Sequence, residues 1–444
     1  MVKPPEAPPC SGRPPRKCCS DPNFGCELFR RVLLRRDKLP AVNPASLRSP
    51  TAVLVAGCMI LCVGFGVRSG FGLFLQPMSL ENGWGRETFS FAMAIQNLLW
   101  GIFGPFAGGV ADRYGAGRVV ALCGVAYVLG LVVMAFADTP LALHVGSGFL
   151  IGLALSGSTF AVLLAVIGRV TPPEKRSTAL GIAVAAGSFG QFAILPITQL
   201  LITSVDWRNA LLGLAVIAAL IVPLAFFTRG KAAPQAGPQQ SLGQALREAL
   251  RERGFHLLFW GYFVCGFHIA MLTVHLPSYV TDNGLKPEHG MTALALIGLC
   301  NMIGSFTSGW LGGRFSKKYL LSGIYTLRAI AIALLIAFPL SQFTLYTFAV
   351  VIGFLWLSTV PLTNGLVGQI FGMRYAGMLA GVVFFGHQIG SFIGIWLAGY
   401  LYDQTGTYNG VLMISIGLGV FAALVNLPVN EKPIAERRPA HAAA

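Results

Sequence analysis

Long apolar stretches recur along this sequence from Thr51 almost to its end. Each has about 20 residues, which is enough to cross the hydrocarbon core of a bilayer as an α-helix. Breaks at Pro, Gly and clusters of charge separate twelve predicted helices. These span residues 53–77, 89–111, 118–137, 141–168, 177–202, 206–228, 256–281, 291–313, 319–338, 343–370, 376–401 and 408–428. The pattern predicts an all-α membrane protein with twelve transmembrane helices in two sets of six.

Composition and charge support a membrane protein. Charged residues make up 11% of the sequence and hydrophobic residues 55%, with a mean hydropathy of +0.68, which excludes a water-soluble fold. The net charge of +15 does not indicate nucleic-acid binding, because the basic residues sort by side of the membrane. Arg86, Arg208 and Lys286 fall on one side, whereas the tails and the loops on their side hold nearly all the others. Both termini are therefore expected in the cytoplasm, with the protein in the cell membrane.

The sequence divides into five segments. Residues 1–50 are rich in Pro and Arg and lack the layout of a signal peptide, so they are expected to form a disordered, basic cytoplasmic tail or to reflect an over-called start. Residues 51–228 and 256–428 are expected to form two six-helix bundles. A cytoplasmic linker over 229–255, with an amphipathic stretch at 242–253, joins them, and 429–444 form a second cytoplasmic tail.

The sequence offers no pattern typical of a metal, cofactor or ATP site. Cys10, Cys18, Cys19 and Cys26 match no common zinc spacing, so reduced thiols are expected, with metal binding as the alternative. There is no Gly-x-x-x-x-Gly-Lys-Ser/Thr phosphate loop, and no paired carboxylates or nucleophile elbow indicate an enzyme. Any transport is therefore expected to be driven by gradients, without a cofactor.

The two halves resemble each other at an offset of about 200 residues, as in transporters built from repeats. Three places carry the similarity. Gly181, Gly190 and Phe192 match Gly381, Gly390 and Phe392; Gly168 matches Gly368; and the loop 108–113 matches 309–314.

The loop from Gly108 to Arg118 is the strongest local motif, and it resembles the signature loop of the major facilitator superfamily. Its glycines allow close helix approach, and Asp112 with the neighbouring basic residues can hold the cytoplasmic side shut. A plain solvated turn is the alternative. The second copy, 309–318, keeps the basic residues but lacks the acid. The residues expected to gate are Gly108, Asp112, Arg113, Gly115, Arg118 and Arg314.

Arg68 lies well inside the first predicted helix. Its charge costs at least about 2.5 kcal/mol to bury in a membrane, so it is expected to face a cavity or a partner. Each acidic residue lies away from the centre of the predicted helices. An unpaired arginine in a cavity favours an anionic substrate, whose carboxylate matches its donor fork. The alternative is that Arg68 reaches the membrane surface or bonds backbone carbonyls.

Other polar residues within predicted helices are candidates for lining a cavity, with interhelical hydrogen bonding as the alternative. Histidines are the candidate proton carriers, and His268 and His275 are seven residues apart and so share a helix face. Arg328 is expected to reach the cytoplasmic surface. With Arg68, the expected substrate-binding residues are Gln96, Gln191, His268, His275, Asn301, His387 and Gln388; Asn97 and Asn364 are further polar candidates.

Residues 51–428 as a whole resemble the major facilitator superfamily, in helix count, two-half layout and the Gly108–Arg118 loop. Finer motifs are similar to the monocarboxylate and oxalate–formate branch: residues 82–86 (Asn-Gly-Trp-Gly-Arg), His387-Gln388, and residues 402–408 (Tyr-Asp-Gln-Thr-Gly-Thr-Tyr). In that branch a basic residue of the first helix helps to bind substrate, which the resemblance assigns to Arg68. Its well-studied members also carry an acid and an arginine in the eighth helix, whereas residues 291–313 contain no charge, so proton symport, exchange and uniport stay open.

We expect a secondary transporter that moves a small organic anion, monocarboxylate-like, by alternating access between two six-helix bundles. The alternatives are a permease for a larger nutrient such as a vitamin, export of a xenobiotic and, more remotely, a solute sensor. The absence of acids at helix centres argues against export of cationic drugs. The expected partners are the substrate, the lipid bilayer and, as a possibility, protons; no nucleic acid is expected, and the protein is expected to be a monomer.

Overall fold

The structure is a computed structural model, and it describes residues 49–229, 242–372 and 376–437. The twelve predicted helices are confirmed, and each is long and apolar enough to span a membrane. They are α1 Pro50–Asn82, α2 Arg86–Tyr114, α3 Ala116–Ala135, α4 Pro140–Val170, α5 Pro173–Ser204, α6 Trp207–Thr228, α7 Arg253–Asp282, α8 Pro287–Gly312, α9 Lys317–Ala337, α10 Gln342–Phe371, α11 Ala376–Thr405 and α12 Asn409–Asn426.

The first helix runs five residues past its predicted end at Pro77. A tighter 3-10 turn at Phe71–Phe74 precedes Pro77, and regular helix then continues from Leu75 to Asn82. The chain leaves the helix at Gly83, whose φ of 66° is in the left-handed region that favours glycine. The true stop signal is therefore Gly83, since a proline is tolerated within a transmembrane helix.

The twelve helices form the two predicted six-helix repeats, α1–α6 and α7–α12. One buried apolar cluster comes mainly from the first six helices and a second mainly from the last six. The paired glycines have equivalent roles, because an added Cβ at Gly190 would collide with the backbone of Cys62 in α1, and one at Gly390 with that of Phe263 in α7. The halves touch chiefly along α2–α11 and α5–α8.

Glycine packing shows on which side the halves are closed. The side that carries Ser49 and Arg437, the two ends of the described chain, is called here the tail side. Away from it, Gly72 of α1 packs against the backbone of Thr273, and Gly85 packs against Asp403. At the tail-side ends of α2, α5 and α11, an added Cβ would meet no heavy atom of the described chain within 4 Å at Gly108, Gly109, Gly181 and Gly381. The halves are therefore in contact on the side opposite the tails.

Two helices are interrupted at equivalent positions. In α4 the backbone is extended at Thr159, with φ −117° and ψ −156°. In α10 the helix breaks between Leu355 and Thr359. The Ser-Thr pairs at 158–159 and 358–359 are 200 residues apart, which is the offset of the glycine pairs. Interrupted helices at matching positions of two repeats are typical of the binding region of a transporter.

Outside the spanning helices, the predicted amphipathic stretch of the linker forms a short helix, Leu242–Arg251. The predicted second tail includes one helical turn, Ile434–Arg437. Nearly all of the predicted first tail, with its four cysteines, lies outside the described residues.

Gly190→Leu is expected to lower the melting temperature, because the added side chain meets the backbone of Cys62, which cannot rotate away. Overpacking of this kind costs about 1–3 kcal/mol or more. Gly181→Leu, on the same helix, is the matched control, and it should melt near the wild type since space surrounds it. The melting temperature is read from intrinsic fluorescence of detergent-purified protein. Equal melting of the two variants would contradict the close packing of α1 on α5.

Candidate substrate site and gates

Arg68 lies near the middle of α1, and its neighbours are uncharged. Its Nη2 donates a hydrogen bond to Asn97 Oδ1 of α2 at 2.6 Å. Its guanidinium carbon lies 5.2 Å from the centre of the Trp100 ring, and its Nε is buried without a hydrogen-bond partner among the described residues. Within residues 49–229, 242–372 and 376–437, no carboxylate forms an ion pair with it. The positive charge of Arg68 is therefore not neutralised by the described protein.

Trp100 is fixed by the interruption of α4. Its indole Nε1 donates to Thr159 Oγ1 at 3.0 Å, and Thr159 in turn donates to the carbonyl of Leu155 at 2.6 Å. The extended residue Thr159 thus holds one wall of the Arg68 site in place. Trp100 was not among the predicted residues; the Ser-Thr pair repeated at an offset of 200 is a signal that could have indicated this region.

Two predicted residues of α11 lie next to this site. Gln388 is fully buried against Gly101 of α2, and its Nε2 has no partner among the described residues. His387 stacks on Phe384 with ring centres 5.6 Å apart, and Phe384 lies 5.6 Å from Trp100. His387 and Gln388 are thus connected to Arg68 through the contact of α2 with α11, by way of Trp100 and Gly101.

Three other predicted residues make interhelical hydrogen bonds instead. Gln96 donates to the carbonyl of Ser147 in α4 at 2.8 Å, and Gln191 donates to the carbonyl of Leu294 in α8 at 3.1 Å. Asn301 of α8 makes three hydrogen bonds. It donates to Ser188 Oγ at 2.9 Å, and it accepts from Ser305 Oγ and from the backbone N–H of Leu357, both at 3.0 Å. These contacts hold α2 on α4, α5 on α8, and the break of α10 on α8.

The two histidines of α7 that were predicted to bind substrate, His268 and His275, are buried in different helix contacts. His268 Nε2 lies 2.8 Å from the carbonyl of Ser415 in α12. His275 Nε2 lies 3.0 Å from the carbonyl of Ile395 in α11, and its Nδ1 lies 3.1 Å from the Tyr408 hydroxyl. Each is 1% exposed, so neither reaches Arg68 or solvent in this conformation.

The expectation that Arg328 reaches the surface is wrong. Arg328 is 1% exposed, and its Nη2 donates to the carbonyls of Leu355, at 2.7 Å, and of Trp356. These carbonyls are at the break of α10, where the regular helical hydrogen bonds are interrupted. A guanidinium supplies the missing donors, which explains why a charge is retained inside the bundle.

On the side opposite the tails, an ionic cluster joins the halves. Arg86 at the start of α2 forms a bidentate pair with Asp282 at the end of α7, at 2.6 and 2.7 Å. Its guanidinium stacks 3.7 Å above the Tyr402 ring, and its Nη1 donates to the Tyr408 hydroxyl at 2.8 Å. Burial raises the pKa of Tyr408, so its hydroxyl stays neutral at physiological pH.

Asp403 completes this cluster by capping α2. Its two carboxylate oxygens accept from the backbone N–H groups of Arg86, at 2.9 Å, and Glu87, at 2.8 Å. A carboxylate at a helix N-terminus is stabilised both by these free donors and by the helix dipole. We call Arg86, Asp282, Tyr402, Asp403 and Tyr408 the ionic lock. The sequence motifs 82–86 and 402–408 contain four of its residues, but their contact, 317 positions apart, was not predicted.

Comparison with known proteins agrees with this geometry. The family model of the Major Facilitator Superfamily matches residues 57–395 and 291–443. The chain belongs to this superfamily. It is therefore a multi-pass membrane transporter for a small molecule, and not an enzyme.

Among curated members of the superfamily, monocarboxylate transporter 13 of Rattus norvegicus is 27% identical, over 82% of this chain and 85% of that protein. The uncharacterized MFS-type transporter YcxA of Bacillus subtilis (strain 168) is 24% identical, over 81% and 90%. A bacterial homolog to the human lysosomal transporter Spinster, in an inward-facing and occupied conformation, has a TM-score of 0.71 at 15% identity, covering 88% of this chain and 99% of that one. The structure of a D-xylose-proton symporter has a TM-score of 0.65 at 16% sequence identity, covering 86% of this chain and 98% of that one.

The superfamily signature loop on the tail side is held by a contact within one half. Asp112 accepts from Arg169 of α4 at 2.5 Å, a partner that the sequence analysis missed. Arg113 packs over Tyr114, and Gly115 has a φ of 102°, which a side chain would strain. Arg118 is exposed at the start of α3.

The expected close helix approach at Gly108 is wrong for this conformation, because no heavy atom of the described chain comes within 4 Å of an added Cβ there. The halves are apart at this point. Gly117 instead makes the close approach, to the backbone of Ala225 in α6. In the second copy of the loop, Arg314 packs over Trp310 at 3.7 Å.

Arg86→Ala is expected to open the side opposite the tails. The lost bonds join charged groups, which contribute about 1.5–3 kcal/mol each, so the equilibrium between conformations should shift about tenfold or more. The readout is labelling of Ser278→Cys by a membrane-impermeant thiol reagent, since Ser278 lines a cavity of about 150 Å³ on that side.

Arg208→Ala is the matched control, because Arg208 pairs on the same side with Glu81 and Asp138 of its own half. It should leave the labelling rate unchanged. Combining Arg86→Asp with Asp282→Arg should restore part of the closure, although not the stacking on Tyr402. Unchanged labelling in Arg86→Ala would show that the ionic lock does not hold the halves together.

Proposed function

We propose that this protein is a secondary active transporter that carries a small organic anion, monocarboxylate-like, across the cell membrane by alternating access. The observation that carries the proposal is the uncompensated charge of Arg68 between the two halves. The names of several curated relatives agree with it, since these are monocarboxylate transporters 22–27% identical to this chain.

The contacts of Arg68 support binding of a carboxylate. Asn97 and Trp100 are neutral, so they orient the guanidinium without cancelling its charge. A guanidinium has five N–H donors, and the unpartnered Nε leaves part of its fork for an anion. Gln388 Nε2, also unpartnered, adds a second donor from the other half. A substrate held between donors of both halves couples its binding to their movement.

Closure on one side supports alternating access. If the tails are cytoplasmic, as the distribution of basic residues predicts, then the ionic lock closes the outer side and the conformation described faces inward. The proposed cycle opens the ionic lock and closes the tail side, where Gly108, Gly109, Gly181 and Gly381 have room for close helix approach.

The groups near Arg68 that could carry a proton bear on the choice of coupling ion. Each acid in the described ion pairs lies at a helix end, away from Arg68. His387 is the histidine at the candidate site, and we propose it as the group to test for proton coupling. Exchange of one anion for another requires no such group.

Arg68→Ala is expected to reduce uptake of the anion at least 10- to 100-fold, since a hydrogen bond to a charged group contributes about 1.5–3 kcal/mol. Arg68→Lys, which keeps the charge but not the fork, should retain part of the activity. Uptake is measured in proteoliposomes, and Arg208→Ala serves as the surface control. Wild-type uptake by Arg68→Ala, at equal protein level, would overturn the proposed anion site.

We expect Asp112→Asn and Arg169→Gln each to slow turnover more than they raise the KM. Both residues lie at the tail-side ends of helices, whereas Arg68 lies near the middle of α1. The double variant should be no slower than the slower single variant if the two act as one pair. Initial uptake rates over a range of substrate concentrations separate the two parameters. Additive losses, or a changed KM alone, would contradict the gating role.

A further inference from the structure

Aromatic rings form a continuous chain through the candidate site and across both halves. From α7 the contacts run from Tyr262 to His387, with ring centres 5.0 Å apart, and from His387 to Phe384 at 5.6 Å. Phe384 contacts Trp100 at 5.6 Å across the boundary between the halves. The chain continues within the first half from Trp100 to Phe65 at 5.7 Å, and from there to Phe160 at 4.5 Å.

The rings lie where the halves meet, next to the charge. Phe384 packs against both buried apolar clusters, and so it belongs to the boundary. Trp100 is the ring that faces Arg68. Phe65 approaches α5, since an added Cβ at Gly187 would lie 3.4 Å from it. Phe65, Phe160 and Phe384 are only partly buried, so each keeps some surface that an apolar group can contact.

Arg68 is the arginine next to these aromatic rings that has no carboxylate partner among the described residues. Arg328, the other arginine inside the bundle, is bound to the carbonyls at the break of α10. Arg86 is paired with Asp282 in the ionic lock. Arg328 also keeps two nitrogens without a hydrogen-bond partner in the described chain, but it is only 1% exposed, whereas Arg68 is partly exposed. Arg68 is therefore the accessible guanidinium inside the bundle, and it matches one carboxylate.

We propose that the substrate is a monocarboxylate that carries an aromatic ring, with its carboxylate on Arg68 and its ring among Phe65, Trp100 and Phe384. This inference rests on the proposed function and narrows its substrate class. Edge-to-face contacts at ring-centre distances of 5–6 Å are the geometry that a fourth ring would extend. Burial of a phenyl group is expected to strengthen binding about 10- to 100-fold over the same acid without a ring.

The experiment measures uptake of radiolabelled 3-phenylpropionate into proteoliposomes and compares four matched unlabelled compounds as competitors: propionate, 3-phenylpropionate, benzylmalonate and 3-phenyl-1-propanol. The first two differ by the ring, the second and third by one carboxylate, and the second and fourth by the charge. The inhibition constant of 3-phenylpropionate is expected to be at least tenfold lower than that of each of the other three compounds. Phe384→Leu should remove most of the advantage of 3-phenylpropionate over propionate, while leaving propionate itself within about threefold. Trp100→Leu should also remove this advantage, and it should weaken propionate as well, because Trp100 orients Arg68.

Trp260→Leu is the matched control, because Trp260 is a half-exposed indole on α7 that contacts Phe259 and Phe263. It should change none of the four values. If a Trp100 variant fails to reach the membrane, the comparison of the four compounds on the wild type and on Phe384→Leu still decides the question.

The outcomes separate this inference from the proposed function. Equal competition by propionate and 3-phenylpropionate, with both lost in Arg68→Ala, overturns the aromatic substrate but leaves the anion transporter. Preference for benzylmalonate overturns the single-carboxylate match. Competition by 3-phenyl-1-propanol equal to that of the acid, unchanged in Arg68→Ala, overturns both, since it removes the role of the charge.

Discussion

A buried arginine without a carboxylate needs other acceptors, and this requirement organises both halves of the protein. Arg328 meets it with the carbonyls that the break of α10 releases. Arg68 meets it only in part, with one amide oxygen and the face of an indole. Arg328 is 1% exposed, so its remaining donors, Nε and Nη1, are closed off from a solute in this conformation. Arg68 is partly exposed, and in the proposed function an anionic substrate completes its contacts.

Small residues determine where the halves can touch. Close contact of helices in a bilayer depends on glycine, because packing replaces the hydrophobic effect as the driving force. On the side opposite the tails, residues of the other half occupy the space beside Gly72 and Gly85. On the tail side, the space beside Gly108 and Gly181 is open in the described chain. The ionic lock adds charge-assisted bonds to the closed side. In the proposed cycle, this conformation, closed at one side and with unused glycines at the other, is one of two states.

The sequence predicted the parts of this structure that depend on local pattern. Apolar length gave all twelve helices, and the glycine pairs gave the repeat, since these signals are read within about 20 residues. It did not predict contacts between remote residues, such as Asp403 with the start of α2. The position of Arg328 near the end of α9 suggested that its side chain reaches the surface. Its true partners are carbonyls freed by the break of α10, and the sequence of α9 does not reveal them. Arg68, His387 and Gln388 were predicted from their polarity, whereas Trp100 was not, because an aromatic residue is ordinary in an apolar helix.

The repeats diverge at the position that matters most. Residue 268 lies 200 positions after Arg68, and it is a histidine bonded to the carbonyl of Ser415. At the matching helix breaks, Thr159 holds Trp100 against the charge, whereas Thr359 hydrogen-bonds with the Cys265 thiol at 3.2 Å. The break of α4 therefore orients a ring against a partly exposed cation, whereas the break of α10 holds a fully buried cation, Arg328, with its own carbonyls. In the proposed cycle an anion on Arg68 would stay with the first half while the second half moves, and the aromatic contact of Phe384 with Trp100 is the part of the site that would separate.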